Sequence, residues 1–372
     1  MKVALVHDWL NNKMGGAERV LLELARIYPE APIYTLIYNE EKFQKFGLTS
    51  RIHTSYLQKI PKFLSRSSRY LLPFIPRAVK QFDFSSYDVV ISSSSAFVKN
   101  IITPPQTLHI CYCHAPMRFA WDYWPEYLDE QKVGPIRTFL IREMVSKLRI
   151  WDYYGAKGVD QYIANSHTTA QRIKKYYNRD SVIINPGIDL KKFRQERQKE
   201  DLYITLAMLT PYKKIDLVIE AFNQNGKELA IIGDGPQRDK LERLAGPNIR
   251  FEGFLDDDTK HNLLANAKAL IFPNEEDFGI APIEALASGT PVIAYGKGGV
   301  TETIEDGKTG VLFSDQTAAS LNNAIEKFQK IHFNSNTLIK EAAKYDMKIF
   351  DRKIKSLVAK VYKQHANTTQ LK

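Results

Sequence analysis

Two glutamates, Glu276 and Glu284, stand eight residues apart in the segment PNEEDFGIAPIEALASGTPVIAY, from Pro273 to Tyr295. In one continuous helix that spacing turns the carboxylates about 80° apart, at ~100° per residue. They converge only if Glu276 lies in a loop and Glu284 in the helix that follows. Glu276 then sits beside the free N–H groups of Phe278, Gly279 and Ile280. Carboxylates accept from two neighbouring hydroxyls, and free N–H groups at a helix start bind anionic oxygens. The combination suits a sugar that carries a diphosphate. The alternative is an acidic loop with favourable helix-dipole electrostatics.

Other positions add chemistry to the pair. Lys213, after Pro211, can neutralise a leaving diphosphate, or can be a solvated lysine at a helix start. His114 ends an apolar stretch before Pro116, where it can reach a ligand or be a satisfied buried histidine. Gly15-Gly16 precedes a helix and lets backbone approach a phosphate. It lacks the G-x-G-x-x-G spacing, which weakens a dinucleotide-dehydrogenase reading. Asn165-Ser166 is a weaker candidate that also reads as a helix N-cap.

These residues must be positioned by short apolar strands alternating with helices. Strands are expected at Val3 to Val6, Pro32 to Ile37, Val89 to Ser92, His109 to Cys113, Asp160 to Asn165 and Ser181 to Asn185, with helices near 17–27 and 168–177. Pro186-Gly187 breaks the pattern, and the charged run Lys191 to Asp201 reads as a linker. The alternation restarts at Tyr203 to Leu206 and Leu229 to Ile232. It continues through Lys268 to Phe272 and Pro291 to Tyr295 to about Val311. The predicted class is α/β, with two Rossmann-like domains of largely parallel sheet, 1–186 and 187–346, and a Lys-rich helix in 347–372.

A chain of 372 residues, 44% hydrophobic and 25% charged, has material for two full cores. Met1 to Leu10 is too short an apolar run for a signal peptide and no stretch approaches a membrane span, so a cytoplasmic location is expected. Cys111 and Cys113 alternate on a strand and suit reduced core thiols; with His114 they lack a usual zinc spacing. The net charge of +10 asks for an acidic partner. No helix-turn-helix, zinc-finger or RNP pattern accompanies it, so nucleic acid is not expected.

The run from Glu276 to Ala294 resembles the E-x7-E segment of the retaining family-four glycosyltransferases, whose GT-B architecture has two Rossmann-like domains facing a central cleft. Gly15-Gly16-Ala17-Glu18, His114-Ala115-Pro116, Asn165-Ser166, Pro186-Gly187-Ile188-Asp189, Pro211-Tyr212-Lys213-Lys214, Gly233-Asp234-Gly235-Pro236 and Gly298-Gly299 resemble further segments of that family, in order. The resemblance implies an N-terminal acceptor domain, a C-terminal donor domain and a final helix that packs back on the first. It assigns Lys213 and Lys214 to the donor diphosphate, and Glu276, with the backbone of Phe278, Gly279 and Ile280, to the donor sugar. Glu284 falls to the ribose, Gly233, Gly253 and Phe254 to the border of the nucleotide, and His114 to orientation near the reacting centre. Gly15, Gly16 and Ser166 join the donor set. Cys113 to Arg118, with Trp121-Asp122, looks like bacterial mannosyltransferases of polysaccharide assembly, which implies GDP-mannose as donor. A UDP-sugar enzyme of the same fold and a catalytically idle basic binding protein are the rival readings. The chain departs from the pattern at Met208, where many relatives carry arginine; Lys214 or Arg118 is the candidate substitute.

Asp256-Asp257-Asp258 contains a D-x-D, the magnesium or manganese pair of a different fold class, but stands before a helix, where aspartate favours N-capping. Neither metal nor cofactor is expected. Lys59 to Phe82 carries Lys62, Arg66, Arg69 and Arg77 among aromatic and aliphatic residues and contains no acid. That mixture fits an anionic membrane surface bearing a lipid-linked glycan acceptor, and places the chain on the inner face of the cell membrane. Pro61, Pro73 and Pro76 predict short pieces there rather than one helix.

Overall fold

The computed structural model describes residues 1–11, 14–48, 51–60, 71–122, 134–194 and 199–370. They form two compact units, 1–184 with 351–372, and 185–350. The first is built on β1 (Val3–His7), β2 (Ile33–Thr35), β3 (Ile52–Thr54), β4 (Val89–Ser94), β5 (Leu108–Cys113), β6 (Gln161–Ala164) and β7 (Ser181–Ile183), in the order β3-β2-β1-β4-β5-β6-β7. The second uses β8 (Leu202–Leu206), β9 (Glu228–Ile232), β10 (Ile249–Gly253), β11 (Ala269–Phe272), β12 (Val292–Tyr295) and β13 (Gly310–Phe313), in the order β10-β9-β8-β11-β12-β13. The neighbours at the centre of each sheet run parallel. Each unit is thus a Rossmann-like parallel sheet.

Strand order reverses between β1 and β4 in the first unit and between β8 and β11 in the second. Chains leaving two such strands diverge to opposite faces of the sheet, and the crevice beyond their carboxyl ends is where ligands bind in open α/β folds. In the first unit Asp8 ties this place together. Directly after β1 and buried, its carboxylate accepts the backbone N–H groups of Ser95, Ala96, Phe97 and Val98, at 2.6 to 2.9 Å. Central strands are buried on both faces, as parallel sheets require, and Cys111 and Cys113 are buried in one of them with no disulfide between them.

The largest departure from the sequence reading is a helix of 21 residues, Pro135–Gly155. Apolar residues lie on opposite sides of it, with Val145 and Leu148 buried and Phe139 and Leu140 exposed, so no single stripe announces it. Asp152 anchors its last turns, pairing with the buried Lys99 at 2.5 Å and accepting from Trp121 and Tyr177 at 2.8 and 2.7 Å. β10 was also missed, because Arg250 and Glu252 interrupt its apolar run. The segment expected to meet a membrane contains a 3-10 turn, Leu72–Phe74, and a short helix, Ile75–Lys80. Lys62, Arg66 and Arg69 lie outside the described residues.

Candidate active site

β11 ends at Phe272, a loop carries Glu276, and Gly279, at φ 86°, turns the chain into the helix Ile280–Ala287, which carries Glu284. This is the loop-then-helix placement that convergence requires. The loop is held from outside. Gln316 donates to the Pro273 carbonyl at 2.9 Å, and the Gly299 N–H donates to the Glu276 carbonyl at 2.8 Å. A side chain at Gly298, φ 78°, would place Cβ 2.3 Å from the Glu276 carbonyl oxygen, so only glycine fits there.

Lys213 arrives from the other strand at the reversal. After β8 the chain forms the 3-10 turn Pro211–Lys213, and Lys214, at φ 55°, reverses it into the helix Ile215–Asn225. A left-handed conformation is costly for a non-glycine residue, by roughly 1–2 kcal/mol, and here it joins the turn carrying Lys213 to a helix. The Lys213 ammonium pairs with the Glu276 carboxylate, the side chains being 13% and 23% exposed. Buried Asn274 donates to the same carboxylate at 3.1 Å. An ammonium and a carboxylate therefore meet where the strand order reverses.

Glu284 is buried and pairs with Lys260 at 3.2 Å; Lys260 also holds Asp257 at 3.0 Å. Asp256 caps the helix Asp257–Asn266 by accepting the Thr259 N–H at 2.9 Å. The first two aspartates of the triplet thus serve a cap and an ion pair. Among the described residues no cluster of His, Cys, Asp and Glu is arranged to hold a metal.

The remaining donor candidates border the same end of this sheet. Gly233 follows β9 so closely packed that a Cβ would lie 1.8 Å from the Ala207 carbonyl oxygen. Gly253 ends β10 beside the Arg238 guanidinium, and the Phe254 ring that follows is 58% exposed. Phe278 is buried edge-on against Tyr345, and its backbone packs against Gly299, where a Cβ would lie 2.5 Å from the Phe278 Cα. Met208 is half exposed in the loop after β8, and Lys214 lies in that loop too.

In the first unit His114 follows β5. Its Nε2 is 2.8 Å from the Ser93 hydroxyl, which is 3.1 Å from His7 Nδ1. Burial, reinforced by His7, pushes the His114 pKa down to about 3, so the imidazole is neutral at physiological pH. Asn165 donates to the His114 carbonyl at 2.9 Å, while the Ser166 hydroxyl accepts the Thr169 N–H at 2.9 Å as a helix cap. The Gly15 amide donates to the Glu18 carboxylate at 3.0 Å, and Gly16 opens the helix Gly16–Ile27. Ser166 and Gly15 thus spend their polar groups on caps. Arg118 is half-buried in the turn after His114, and Arg77 is exposed on the helix Ile75–Lys80.

Asn274, Lys260, Arg238 and Asp8 were not singled out from the sequence. Asn274 lies two residues before Glu276 and could have been weighed as its partner; the others become visible only through the fold.

A parallel sheet in each unit, with cation and carboxylate at the reversal of the second, defines a doubly wound α/β class. Residues 14–192 match the model described as Glycosyltransferase Family 4, and residues 188–345 that described as Glycosyl transferases group 1. Together they span residues 14–345, and the chain belongs to the family-four glycosyltransferases of GT-B type. It is 24% identical over 81% of its length to sulfoquinovosyl transferase SQD2 of Arabidopsis thaliana, the match spanning 60% of that protein. It is 23% identical over 75% of its length to the alpha-1,3/1,6-mannosyltransferase ALG2 of Dictyostelium discoideum, spanning 77% of it. Several curated relatives are therefore matched over less than two thirds of their own length. The Anabaena protein HepE, solved in complex with UDP, shares the fold with a TM-score of 0.70, covering 97% of this chain and 100% of that one at 17% identity.

Proposed function

We propose that the chain is a retaining glycosyltransferase that moves a hexose from a nucleoside diphosphate to an acceptor hydroxyl. The Lys213–Glu276 pair at the β8/β11 reversal carries this reading. Lys213 neutralises the leaving diphosphate, Glu276 accepts from sugar hydroxyls, and Glu284 receives the ribose. The acceptor oxygen forms its bond to the anomeric carbon on the face from which the diphosphate leaves, and the acceptor proton passes to the leaving phosphate oxygen. The protein contributes positioning and charge stabilisation. Phe254 offers an exposed ring for base stacking, worth about 1–3 kcal/mol per base. His114, as a neutral imidazole, orients the transferred sugar.

GDP-mannose is the preferred donor. Two relatives support it: the Dictyostelium mannosyltransferase by the sugar in its name, and, by sugar and nucleotide, a GDP-mannose-dependent phosphatidylinositol monomannoside mannosyltransferase of Mycobacterium tuberculosis, 28% identical over 38% of this chain and 44% of that protein. A UDP-sugar is the second reading, favoured by HepE, which was solved with UDP-glucose. Thermal-shift titration decides between them, since a ligand that binds only the native state at ~100 times its Kd stabilises by about 2.7 kcal/mol. GDP-mannose should raise the melting temperature more than UDP-glucose does; the reverse order overturns the donor. Absence of transfer to any acceptor, with intact nucleotide binding, supports the idle binding protein.

The first unit, in this reading, rests on the anionic inner face of the cell membrane and receives a lipid-linked glycan there. The basic segment 59–82 supports this, each cation near such a surface contributing about 1 kcal/mol. Among the described residues no helix is long and apolar enough to cross a membrane. Vesicle binding should rise with anionic lipid and weaken when Arg66, Arg69 and Arg77 become serine; equal binding to neutral vesicles overturns it.

A further inference from the structure

The helix Pro135–Gly155 leaves large apolar side chains uncovered. Ile136, Phe139 and Leu140 are 77%, 61% and 60% exposed, and Ile150 and Tyr154 are 57% and 63% exposed. At ~100° per residue these five fall within about 100° of arc, in two groups, 136–140 and 150–154, with the exposed Glu143 and Lys147 between them in the same arc, and the buried Val145, Leu148 and Asp152 occupy the opposite side. Single exposed apolar residues are ordinary. Five along one stripe of one helix mark a surface that meets something.

Its charges favour an anionic lipid surface over another protein. Arg142, Lys147 and Lys157 are exposed on this helix and just beyond it, against the exposed acids Glu143 and Asp160. The Lys157 ammonium lies 5.0 and 4.9 Å from the ring centres of Tyr153 and Tyr154, so cation and aromatic rings are presented together. Polar-tipped aromatics and lysines of this kind settle at the headgroup level. The helix also shares a core with the described end of the basic segment. It packs on the same apolar core, and against the same turn Val98–Asn100, as the helix Ile75–Lys80, whose Arg77 and Lys80 are exposed beside Phe74, itself 51% exposed.

We propose that this stripe is the element of the first unit that enters the boundary between headgroups and acyl chains of an anionic bilayer. The inference rests on the membrane reading above and divides its labour: the basic segment attracts, and the helix inserts. A long interfacial helix with apolar groups on its exposed side lies in the membrane plane, and its binding scales with apolar area plus headgroup attraction.

The test is co-sedimentation of the full chain with phosphatidylglycerol-containing and pure phosphatidylcholine vesicles. A Phe139→Ser, Leu140→Ser, Ile150→Ser triple variant should partition roughly tenfold less while keeping the salt dependence of wild type. Replacing Arg66, Arg69 and Arg77 with serine should flatten the salt dependence instead. Phe139→Trp, which keeps an apolar ring there, should gain emission that is quenched by lipids brominated on the acyl chain, and this readout stands even if the triple variant fails to fold. Wild-type partitioning by the triple variant, or an unquenched indole signal from Phe139→Trp, overturns the insertion while the membrane reading survives through the arginine variant. Wild type that binds neither vesicle overturns both. A dimer in sedimentation that the triple variant dissociates, with vesicle binding unchanged, assigns the stripe to a second copy and also overturns the proposal.

Discussion

Lys213→Ala should cost turnover far more than stability, and removing Glu276 as well should return part of the stability. The two side chains are 13% and 23% exposed. That lies between the surface regime, where an ion pair is worth about 0.2–1 kcal/mol, and the buried regime, where breaking one costs about 3–5 kcal/mol. A loss of about 1–3 kcal/mol is expected for the single variant, because the Glu276 carboxylate is left with the Asn274 amide and no ammonium. At about 2–4 °C per kcal/mol the melting temperature falls by several degrees. The double variant Lys213→Ala, Glu276→Ala leaves no lone charge and should melt above the Lys213→Ala single. Turnover follows different arithmetic. Losing a preorganised group opposite developing negative charge costs about 10²–10³ in kcat, or 2.7–4 kcal/mol. Initial rates of nucleoside diphosphate release, measured beside melting curves for both singles and the double, give both readings. A Lys213→Ala enzyme within about threefold of wild type, or a double variant less stable than either single, refutes the reasoning.

Burial lowers the pKa of His114 to about 3 and of His109 to about 4, from an ordinary 6.5. The unfolded chain therefore binds protons that the native chain refuses, and stability falls as pH drops from about 6.5 towards 4, by about 1.4 kcal/mol per pH unit for each histidine. His114→Gln should make that slope shallower by one proton in urea melts at stepped pH; an unchanged slope contradicts the neutral buried imidazole. Gly298→Ala drives a Cβ into the Glu276 carbonyl at a left-handed φ, and a displacement of about 1 Å at such a site can cost 10²-fold in rate. Donor kinetics within a factor of about three of wild type would show that this close packing does not position Glu276. Lys260→Met leaves buried Glu284 without its ammonium and should raise the donor KM roughly tenfold with a smaller change in kcat, while Lys260→Arg recovers most of it. Equal loss of kcat and kcat/KM in Lys260→Met would instead place Lys260 in the transition state.

The parallel α/β class was legible because buried central strands read as short apolar runs cut by glycine, proline and polar loops; Leu229 to Ile232 and Ala269 to Phe272 are examples. The helix Pro135–Gly155 was not legible for a related reason. Sequence periodicity detects a contrast between a buried and a wet face, and this helix carries apolar residues on both. Within the site, the loop placement of Glu276 and the helix placement of Glu284 match the reading drawn from helix geometry. The Lys213–Glu276 pairing did not follow, since the residues stand 63 positions apart and meet only because β8 and β11 are neighbours. Ser166 and Gly15 carry a signature that two roles share. Small polar residues and glycines before a helix have the same signature whether they bind a ligand or cap the helix, and here hydrogen bonds to Thr169 and Glu18 supply the cap.

The described second unit pairs each carboxylate assigned to the donor with a lysine: Glu276 with Lys213, and Glu284 with Lys260. An unpaired carboxylate at such depth would be costly to keep ionised, yet hydroxyls bind best to an ionised one. A lysine partner offsets the cost of burial while leaving carboxylate lone pairs to accept from hydroxyls. The two pairs differ in what the ligand brings. A diphosphate beside Lys213 competes with Glu276 for the ammonium, so that pair should loosen on donor binding. A ribose carries no charge, and Lys260 can stay on Glu284 throughout. Binding of a nucleoside diphosphate should therefore weaken more steeply with salt than binding of the matching nucleoside, and the difference should vanish in Lys213→Ala but persist in Lys260→Met. Isothermal titration across a salt series measures it, and equal salt slopes for the two ligands in wild type would remove Lys213 from the phosphate.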